Sequence, residues 1–305
     1  MGLISKTGRA CTYSIVISFQ SLTQLARKMS SFNIGERNEG DDIAGFVHKV
    51  ATEFRLGDRI AAFHVMWTPG GSYAEYALSP VHTAFHILNT TSFEEAAAIP
   101  LPAMTAAVGL YIHLGLPQPF TPAKKQLPLI LYGAASAVGT YVVQLAKQSD
   151  IHPLSCIAGR GIPFVETLVD KSKGGVIIDY RKGDEAVVER TKAAIPSGEE
   201  LMYAFDAINE KGNSPNICKV LSTEGGKITN VLGLEGTVLD GVERSWTSVG
   251  SAYKEACNFG FAWFRMFGRG PQEGWFKAHP QEVVPGGLGG IQQEGKASAV
   301  KYVFL

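Results

Sequence analysis

The sequence predicts an α/β protein in which a doubly wound parallel sheet is joined to a second, smaller β domain. From about residue 127 onward, short apolar strand patterns alternate with helical patterns, which is typical of βαβ units. Between residues 41 and 88, short strand patterns separated by Gly-rich turns follow one another with little helix. A turn of small residues, "YGAASAVG", joins the first strand of the alternating half to its helix.

The length, charge balance and cysteine content of the chain limit the classes of protein to which it can belong. The chain has 305 residues, of which 45% are hydrophobic and 18% charged, enough for two domains. The 28 Lys and Arg residues balance the 28 Asp and Glu residues, so no basic excess favours a nucleic-acid partner. The four cysteines are scattered and none forms a C-x-x-C pair, which predicts reduced cysteines and no cysteine-rich zinc site.

The N-terminal segment leaves the localisation open. No continuous apolar run reaches the roughly 18 to 20 residues that span a bilayer, so no membrane partner is expected. Residues 1–35 lack Asp and Glu and are rich in Ser, a composition that resembles an organellar transit peptide. The favoured interpretation is a cytoplasmic protein with an ill-defined leader, and mitochondrial targeting is the alternative.

Individual elements of the β half follow from local patterns. "IAGFVHKV" alternates as a strand, "RLGDRIAAF" reads as a turn and a strand, and "TPGGSYAEYAL" as a Gly-rich turn and a strand. Ser92, followed three residues later by Glu95, predicts a capping box at the start of a helix. Pro102 is suited to the first turn of a second helix.

The α/β half is predicted as five strands with four helices between them. The strands are "LILYG", "PLSCIAG", "GVIIDY", "LMYAFDAI" and "GKITNVL". An aromatic-rich helix, "AYKEACNFGFAWFRMFGRG", and a closing strand, "SAVKYVF", follow. The aromatic helix either lines a pocket or forms the face of a homodimer, and the sequence leaves both open.

The small-residue turn has the frame of a dinucleotide-binding motif. In the spacing G-x-G-x-x-G, this chain has Ala134, Ser136 and Gly139. Gly139 keeps the position where the helix packs closely on the strand. Ala134 and Ser136 are small enough for backbone to approach phosphates, and the Ser136 hydroxyl can add a hydrogen bond. Such a turn can also serve packing alone, but the strand before it and the helix after it favour a nucleotide.

The next two strand ends favour NADP over NAD. NAD sites usually carry an acid at the end of the second strand, where this chain has Gly159-Arg160-Gly161. A guanidinium suits a 2′-phosphate because it can bind the phosphate in fork geometry. Tyr180, at the tip of the third strand, is a second candidate contact. The alternative is that Arg160 and Arg181 are ordinary loop cations.

Several segments in order resemble a known family. They are "GDRIAAF", "GGSYAEYAL", "EEAAAIPLPAMTAAVGLY", "YGAASAVGTYVVQLAK", "IIDYRKGDEAV" and "GKASAVKYVF". Together they resemble the zinc-independent medium-chain dehydrogenase/reductases, namely quinone oxidoreductases and the trans-acting enoyl reductases of fungal polyketide pathways. The resemblance implies a GroES-like β domain and a Rossmann domain. Residues 1–38 show nothing like the family's opening strands, so we expect a chain truncated at its N-terminus with a partial GroES-like domain.

The resemblance also divides the chain and assigns residues. It implies a poorly defined leader over 1–38, a partial GroES-like domain with linking helices over 39–122, a Rossmann domain over 123–250, and a C-terminal helix and strand over 251–305 that return to the first domain. The cofactor-binding residues it implies are Thr105 on the cofactor, Ser136, Ala137 and Val138 at the pyrophosphate, Arg160 and Tyr180 at the 2′-phosphate, and Val231 and Leu232 near the nicotinamide.

The implied activity is NADPH-dependent hydride transfer, without zinc, to a small electrophilic acceptor. The candidates are an enone, a quinone or an enoyl thioester such as a polyketide intermediate. The zinc-binding members' Gly-His-Glu triplet is absent, and lone His64 is interpreted as structural. No catalytic acid is assigned, since Tyr73 is more readily explained by packing and solvent can supply the proton. The alternative function is a catalytically inactive dinucleotide-binding or scaffold protein.

Overall fold

A computed structural model describes residues 14–18, 40–49, 53–74, 76–209, 213–233, 240–286 and 300–304. The chain divides into two compact units. The first comprises Met1–Met104 and Val249–Leu305, and the second comprises Thr105–Ser248. The C-terminal part of the chain therefore belongs to the same unit as the N-terminal part.

The first unit is built on a five-stranded antiparallel sheet in the order β4-β1-β2-β3-β5. Apolar side chains that alternate along these strands form its core, with Ile43, Val47 and Ile60 almost completely buried. The strands are β1 (Ser14–Ser18), β2 (Asp42–Lys49), β3 (Arg59–Phe63), β4 (Tyr76–Pro80) and β5 (Ala84–His86).

Strand β1 corrects the expectation that residues 1–38 contribute no element to the fold. Its five residues pair antiparallel with both β2 and β4, and Ile17 is completely buried in the core. The strand was missed because its partners lie about 30 and 60 residues further along the chain, so no local hairpin signal marks it. The rest of the predicted leader lies outside the described residues.

Two helices follow the sheet. Helix α1 (Phe93–Ala97) begins with the predicted capping box: the Glu95 backbone N–H donates to Ser92 Oγ at 3.1 Å, and the Ser92 N–H donates to the Glu95 carboxylate at 3.0 Å. Helix α2 (Pro100–Ala107) begins two residues before Pro102 and continues as a π-helical segment, Val108–His113. The capping-box prediction is confirmed.

The helical segment Phe93–His113 is long and apolar enough, by length and composition alone, to cross a bilayer, with a mean hydropathy of 1.4. The expectation that the chain contains no such segment is therefore corrected. In the structure 78% of the most apolar 18-residue stretch of this segment is buried inside the protein, as is typical of a core helix.

The aromatic helix, α7 (Cys257–Glu273), contributes a stack of rings to the first unit. Phe264 lies between Phe63 and Phe267, with ring centroids 6.5 and 5.7 Å away, and Trp263 is also buried. These rings form core, so the buried face of α7 serves packing within this unit. Cys257 is disulfide-bonded, which corrects the expectation of unpaired cysteines; Cys156 and Cys218 are free.

The chain closes the first unit with two parallel strands, β12 (Gln281–Val284) and β13 (Lys301–Phe304). The ammonium of Lys301 forms an ion pair with Asp42 of β2 and donates to the Ala97 carbonyl at 3.1 Å. These bonds tie the C-terminal strand to the first sheet and to α1.

A buried histidine just before β12 predicts that the first unit loses stability in acid. His279 is only 1% exposed, and burial, together with nearby Lys301, lowers its pKa to about 4. The unfolded chain therefore binds this proton more readily, and the stabilisation present above pH 6.5 is lost as the pH falls toward 4. We expect His279 to account for about 2 kcal/mol of the unfolding free energy lost between pH 7 and pH 5.

Urea unfolding of wild type and His279→Gln at these two pH values measures the effect. The variant should lose less stability than wild type on acidification, by about that amount. Phe276→Leu is the control, since it perturbs a buried ring three residues earlier in the chain without removing a titrating group, and should keep the wild-type pH dependence. Equal pH dependence in wild type and His279→Gln would contradict the prediction.

The second unit contains a six-stranded parallel sheet in the order β11-β10-β9-β6-β7-β8. Numbered within the unit, this is the order 3-2-1-4-5-6 read from β8, the doubly wound Rossmann topology. The predicted fold class is thus confirmed. The strands are β6 (Leu129–Tyr132), β7 (Leu154–Ala158), β8 (Val176–Asp179), β9 (Tyr203–Asp206), β10 (Lys227–Asn230) and β11 (Glu243–Trp246).

Helices connect β6 through β10 in turn, as the alternating pattern predicts. They are α3 (Ala137–Gln148), α4 (Ile162–Val165), α5 (Asp184–Ala193) and α6 (Asn213–Cys218). The strand side chains Ile130, Ile157, Ala204 and Ile228 are at most 2% exposed and form the core beneath the helices. Strands this apolar are typical of a parallel sheet that is covered on both faces.

Candidate cofactor site

All the predicted site residues except Thr105 follow strands of the parallel sheet and lie at the same edge of it. Because all six strands run in the same direction, their carboxyl ends lie at the same edge. Ser136 follows β6, Arg160 follows β7, Tyr180 follows β8, and Val231 with Leu232 follows β10. The strand order reverses between β6 and β9, and ligands of doubly wound sheets bind in the crevice at this point.

The turn after β6 brings two backbone segments into contact. A methyl group on Gly139 would lie 2.2 Å from the Gly133 carbonyl oxygen and 2.9 Å from Ala134 Cα. Gly133 itself has a φ of +79°, a conformation that favours glycine. The role predicted for Gly139, close packing of the helix on the strand, is confirmed.

Helix α3 presents its N-terminus to this turn. Ser136 is the N-cap, and its hydroxyl oxygen accepts the Gly139 backbone N–H at 3.0 Å. The hydroxyl hydrogen therefore stays available to a phosphate. The backbone N–H groups of Ala137 and Val138, as the first two residues of the helix, have no intrahelical acceptor. Together these donors and the helix dipole form an anion-binding arrangement.

The ends of β7 and β8 lie against each other. A methyl group on Gly159 would lie 2.6 to 2.7 Å from atoms of the Tyr180 phenol, so this ring rests directly on the Gly159 backbone. Tyr180 is 45% exposed, and Arg160, the residue after Gly159, is also exposed. An exposed guanidinium and an exposed phenol thus flank a glycine that admits no side chain.

Arg181 has a different role from Arg160. Its guanidinium binds the Asp179 carboxylate through two hydrogen bonds of 2.8 and 2.7 Å. This contact lowers the pKa of Asp179 to about 2. The acid at the end of β8 is therefore held by its own arginine.

Thr105 is placed on the helix that packs against the sheet. It is 2% exposed and lies one turn before Gly109. A methyl group on Gly109 would lie 2.3 Å from the Phe205 ring of β9, so this helix approaches the sheet closely. Residues four positions apart share a helix face, which puts Thr105 on the side that faces the sheet.

A polar network at the ends of β9 and β10 was not predicted. The Asp206 carboxylate is buried, and its Oδ1 accepts the backbone N–H groups of Ile208 and Asn209 at 3.1 and 2.8 Å and the Asn213 amide at 3.1 Å. Burial raises the pKa of Asp206, and the hydrogen bonds oppose this shift. The available signal was an aspartate directly after the apolar "YAF" of a buried strand.

The remaining candidates have structural environments. His64 is buried, with Nδ1 2.6 Å from the Leu78 carbonyl and Nε2 3.1 Å from the Thr68 carbonyl, which supports its structural interpretation. Tyr73 is half-buried, and a methyl group added to Gly40 would lie 3.0 Å from its ring, so the ring packs near this glycine. Within the described parts of the chain, no group of three or more His, Cys, Asp or Glu side chains is arranged to hold a metal ion.

The doubly wound sheet, the small-residue turn and the antiparallel β unit define a medium-chain dehydrogenase/reductase. No family model matches the chain. The trans-enoyl reductase fsr4 of Gibberella fujikuroi is 49% identical over 256 residues, which cover 82% of this chain and 75% of that relative. The chain therefore belongs to the trans-enoyl reductase family, and it is a reductase enzyme.

Solved structures share the fold at low sequence identity. The CurK enoyl reductase superposes with a TM-score of 0.65 and 18% identity, covering 89% of this chain and 82% of that one. The quinone oxidoreductase of Escherichia coli, solved as a complex with NADPH, gives a TM-score of 0.57 and 18% identity, covering 82% of this chain and 78% of that one. At this level of identity the likeness concerns the fold alone.

Proposed function

We propose that this enzyme reduces the carbon–carbon double bond of an enoyl substrate with NADPH. One observation carries the proposal: the Gly133–Gly139 turn with the exposed Arg160 and Tyr180 lies at the carboxyl edge of the sheet of a trans-enoyl reductase homologue. The 49% identical relative is a trans-enoyl reductase, which supports an enoyl substrate. A structural neighbour was solved as a complex with NADPH, which supports this cofactor.

The residues of this edge fit a dinucleotide 2′-phosphate. Pyrophosphate would lie at the N-terminus of α3, bound by the Ser136 hydroxyl and the N–H groups of Ala137 and Val138. Arg160 and Tyr180 would bind the 2′-phosphate. The further predicted contacts are Thr105 with the cofactor, and Val231 and Leu232 with the nicotinamide.

When bound, the cofactor supplies a hydride, and the protein orients it and excludes water. An α,β-unsaturated carbonyl compound accepts the hydride at its β-carbon, and a proton from solvent completes the α-carbon. The products are the saturated carbonyl compound and NADP⁺, so electrons and protons balance. An enoyl thioester is the favoured acceptor, because the relative is a trans-enoyl reductase, and enones and quinones are the alternatives.

Oxidation of NADPH in the presence of a short 2-enoyl thioester tests the activity. We expect turnover of this thioester above that of a quinone, and no turnover of its saturated counterpart. Tight NADPH binding without turnover of a thioester, enone or quinone would instead support the inactive dinucleotide-binding protein. That alternative was motivated by missing N-terminal strands, and β1, which pairs with both β2 and β4 inside the first sheet, weakens it.

We further propose that the reaction needs no zinc. The sequence lacks a Gly-His-Glu triplet, and both nitrogens of His64 already lie near carbonyl oxygens. Elemental analysis of the purified protein should find far less than one zinc per chain, and chelator treatment should leave NADPH oxidation unchanged. Stoichiometric zinc that survives the chelator, or activity that requires added zinc, would contradict this prediction.

A further inference from the structure

The buried Asp206 carboxylate organises a turn and is not placed to meet a substrate. It ends β9, next to β6 at the centre of the sheet, and is completely buried. A buried carboxylate is costly unless hydrogen bonds satisfy it, and here three N–H donors converge on one oxygen. Two of them are consecutive backbone groups, those of Ile208 and Asn209. The conformation of this turn is therefore fixed by the carboxylate.

The turn supports the phosphate-binding segment through Ile208. A methyl group on Gly133 would lie 2.1 Å from Ile208 Cγ1 and 2.6 Å from its Cδ1. The Ile208 side chain thus occupies the space directly over Gly133, the residue at which β6 passes into the dinucleotide turn. Any movement of Ile208 changes the support of that turn.

The same turn also holds the segment after β10, through Asn209. Asn209 has a left-handed backbone, with a φ of +49°. Its side-chain amide donates to the Leu232 carbonyl at 3.1 Å and to the Gly233 carbonyl, and its Oδ1 accepts from the Asn230 amide at 3.2 Å. One side chain therefore connects the ends of β9 and β10.

We propose that Ile208 and Asn209, fixed by Asp206, are positioning residues. Together they fix the position of the pyrophosphate turn relative to the 231–233 segment. This inference rests on the proposed function, in which these two segments bind opposite ends of the nicotinamide nucleotide half. Neither residue is assigned a contact with the cofactor: Ile208 acts through the backbone at Gly133, and Asn209 acts through the carbonyls of Leu232 and Gly233.

Two substitutions at Asn209 separate positioning from backbone shape. Asn209→Gly keeps the left-handed conformation and removes the side-chain bonds, while Asn209→Asp keeps Oδ1 and replaces the donor with an oxygen. Both should raise the Kd for NADPH by about tenfold and lower kcat, with little change in melting temperature. A role limited to the left-handed backbone would leave both variants like wild type.

Substitutions at Ile208 test the other contact. Ile208→Ala should raise the Kd for NADPH, and Ile208→Val, which keeps a β-branched methyl over Gly133, should restore it to within about twofold of wild type. Asp150→Gly is the matched control: it also has a left-handed backbone and a bonded side chain, but it lies at the other end of α3 and should not change the Kd.

Titration of cofactor fluorescence gives the Kd of each folded variant, and thermal melting without cofactor shows that it is folded. Unchanged Kd values in Asn209→Gly, Asn209→Asp and Ile208→Ala, with wild type binding NADPH, would overturn the inference alone. Absence of NADPH binding by wild type would overturn the proposed function itself. If Asn209→Gly does not fold, the Ile208 pair still decides the matter.

Discussion

Replacing Gly139 by alanine is expected to weaken NADPH binding by at least about tenfold and to destabilise the protein by roughly 1 to 3 kcal/mol. Alanine in a helix normally gains about 1 kcal/mol over glycine. Here the added methyl group would lie 2.2 Å from the Gly133 carbonyl oxygen and 2.9 Å from Ala134 Cα. Since both are backbone atoms, the helix must move away from the strand, and the pyrophosphate turn opens.

Gly233→Ala, at the same edge of the sheet, is the matched control for stability alone, because the 231–233 segment is itself proposed to bind the cofactor. A methyl group there meets no atom of the described residues within 4 Å, so the free energy of unfolding should change by less than about 0.5 kcal/mol. Urea unfolding of both variants, and a fluorescence titration of wild type and Gly139→Ala with NADPH, give the two quantities. A Gly139→Ala protein that is more stable than wild type and binds NADPH equally well would show that the close approach at this turn has been misassigned.

Much of the second unit could be predicted because its signals are local. Each strand from β6 to β9 is a short apolar segment, and each is followed by a turn and a helical pattern within about a dozen residues. The capping box of Ser92 and Glu95 and the close packing at Gly139 were also predictable, since each depends on a fixed spacing between a few residues.

What escaped prediction depends on partners distant in sequence. The strand β1 is recognisable only once β2 and β4 lie on either side of it. The network of Asp206, Asn209 and Asn230 likewise combines the ends of two strands that are more than twenty residues apart. A polar residue at a strand end is ordinary in a sequence, and only its burial and the number of its donors give it a role.

At the adenosine end of the site, too, some features could be predicted from the local sequence and others could not. The exposure of Arg160 and Tyr180 could be predicted from their positions after strands, but the contact between the Tyr180 ring and Gly159 could not. Arg181 looked equivalent to Arg160 in the sequence. In the structure its guanidinium binds Asp179, two residues before it, which leaves Arg160 as the better candidate for a phosphate.

Replacing Arg160 by alanine is therefore expected to weaken NADPH binding by tenfold or more and to change NADH binding by less than about twofold. A charge-assisted hydrogen bond to the 2′-phosphate contributes on the order of 1.5 to 3 kcal/mol, and 1.4 kcal/mol corresponds to a factor of ten. NADH lacks this phosphate, so its affinity does not depend on the Arg160 guanidinium. The preference of wild type for NADPH should also decrease as salt is added, because the exposed charges are screened.

Lys182→Ala is the control for a general effect of positive charge. Lys182 is exposed and belongs to the same short helical turn as Tyr180, Tyr180–Lys182, but it is not predicted to contact the phosphate. Its removal should change NADPH binding by no more than about twofold, as expected for a single solvated charge. Dissociation constants for both cofactors should be measured for wild type and both variants at two salt concentrations. They distinguish a specific contact of Arg160 with the 2′-phosphate from a general effect of positive charge. Equal affinity of wild type for NADPH and NADH, or an equal loss of both in Arg160→Ala, would exclude Arg160 as the residue that selects the cofactor.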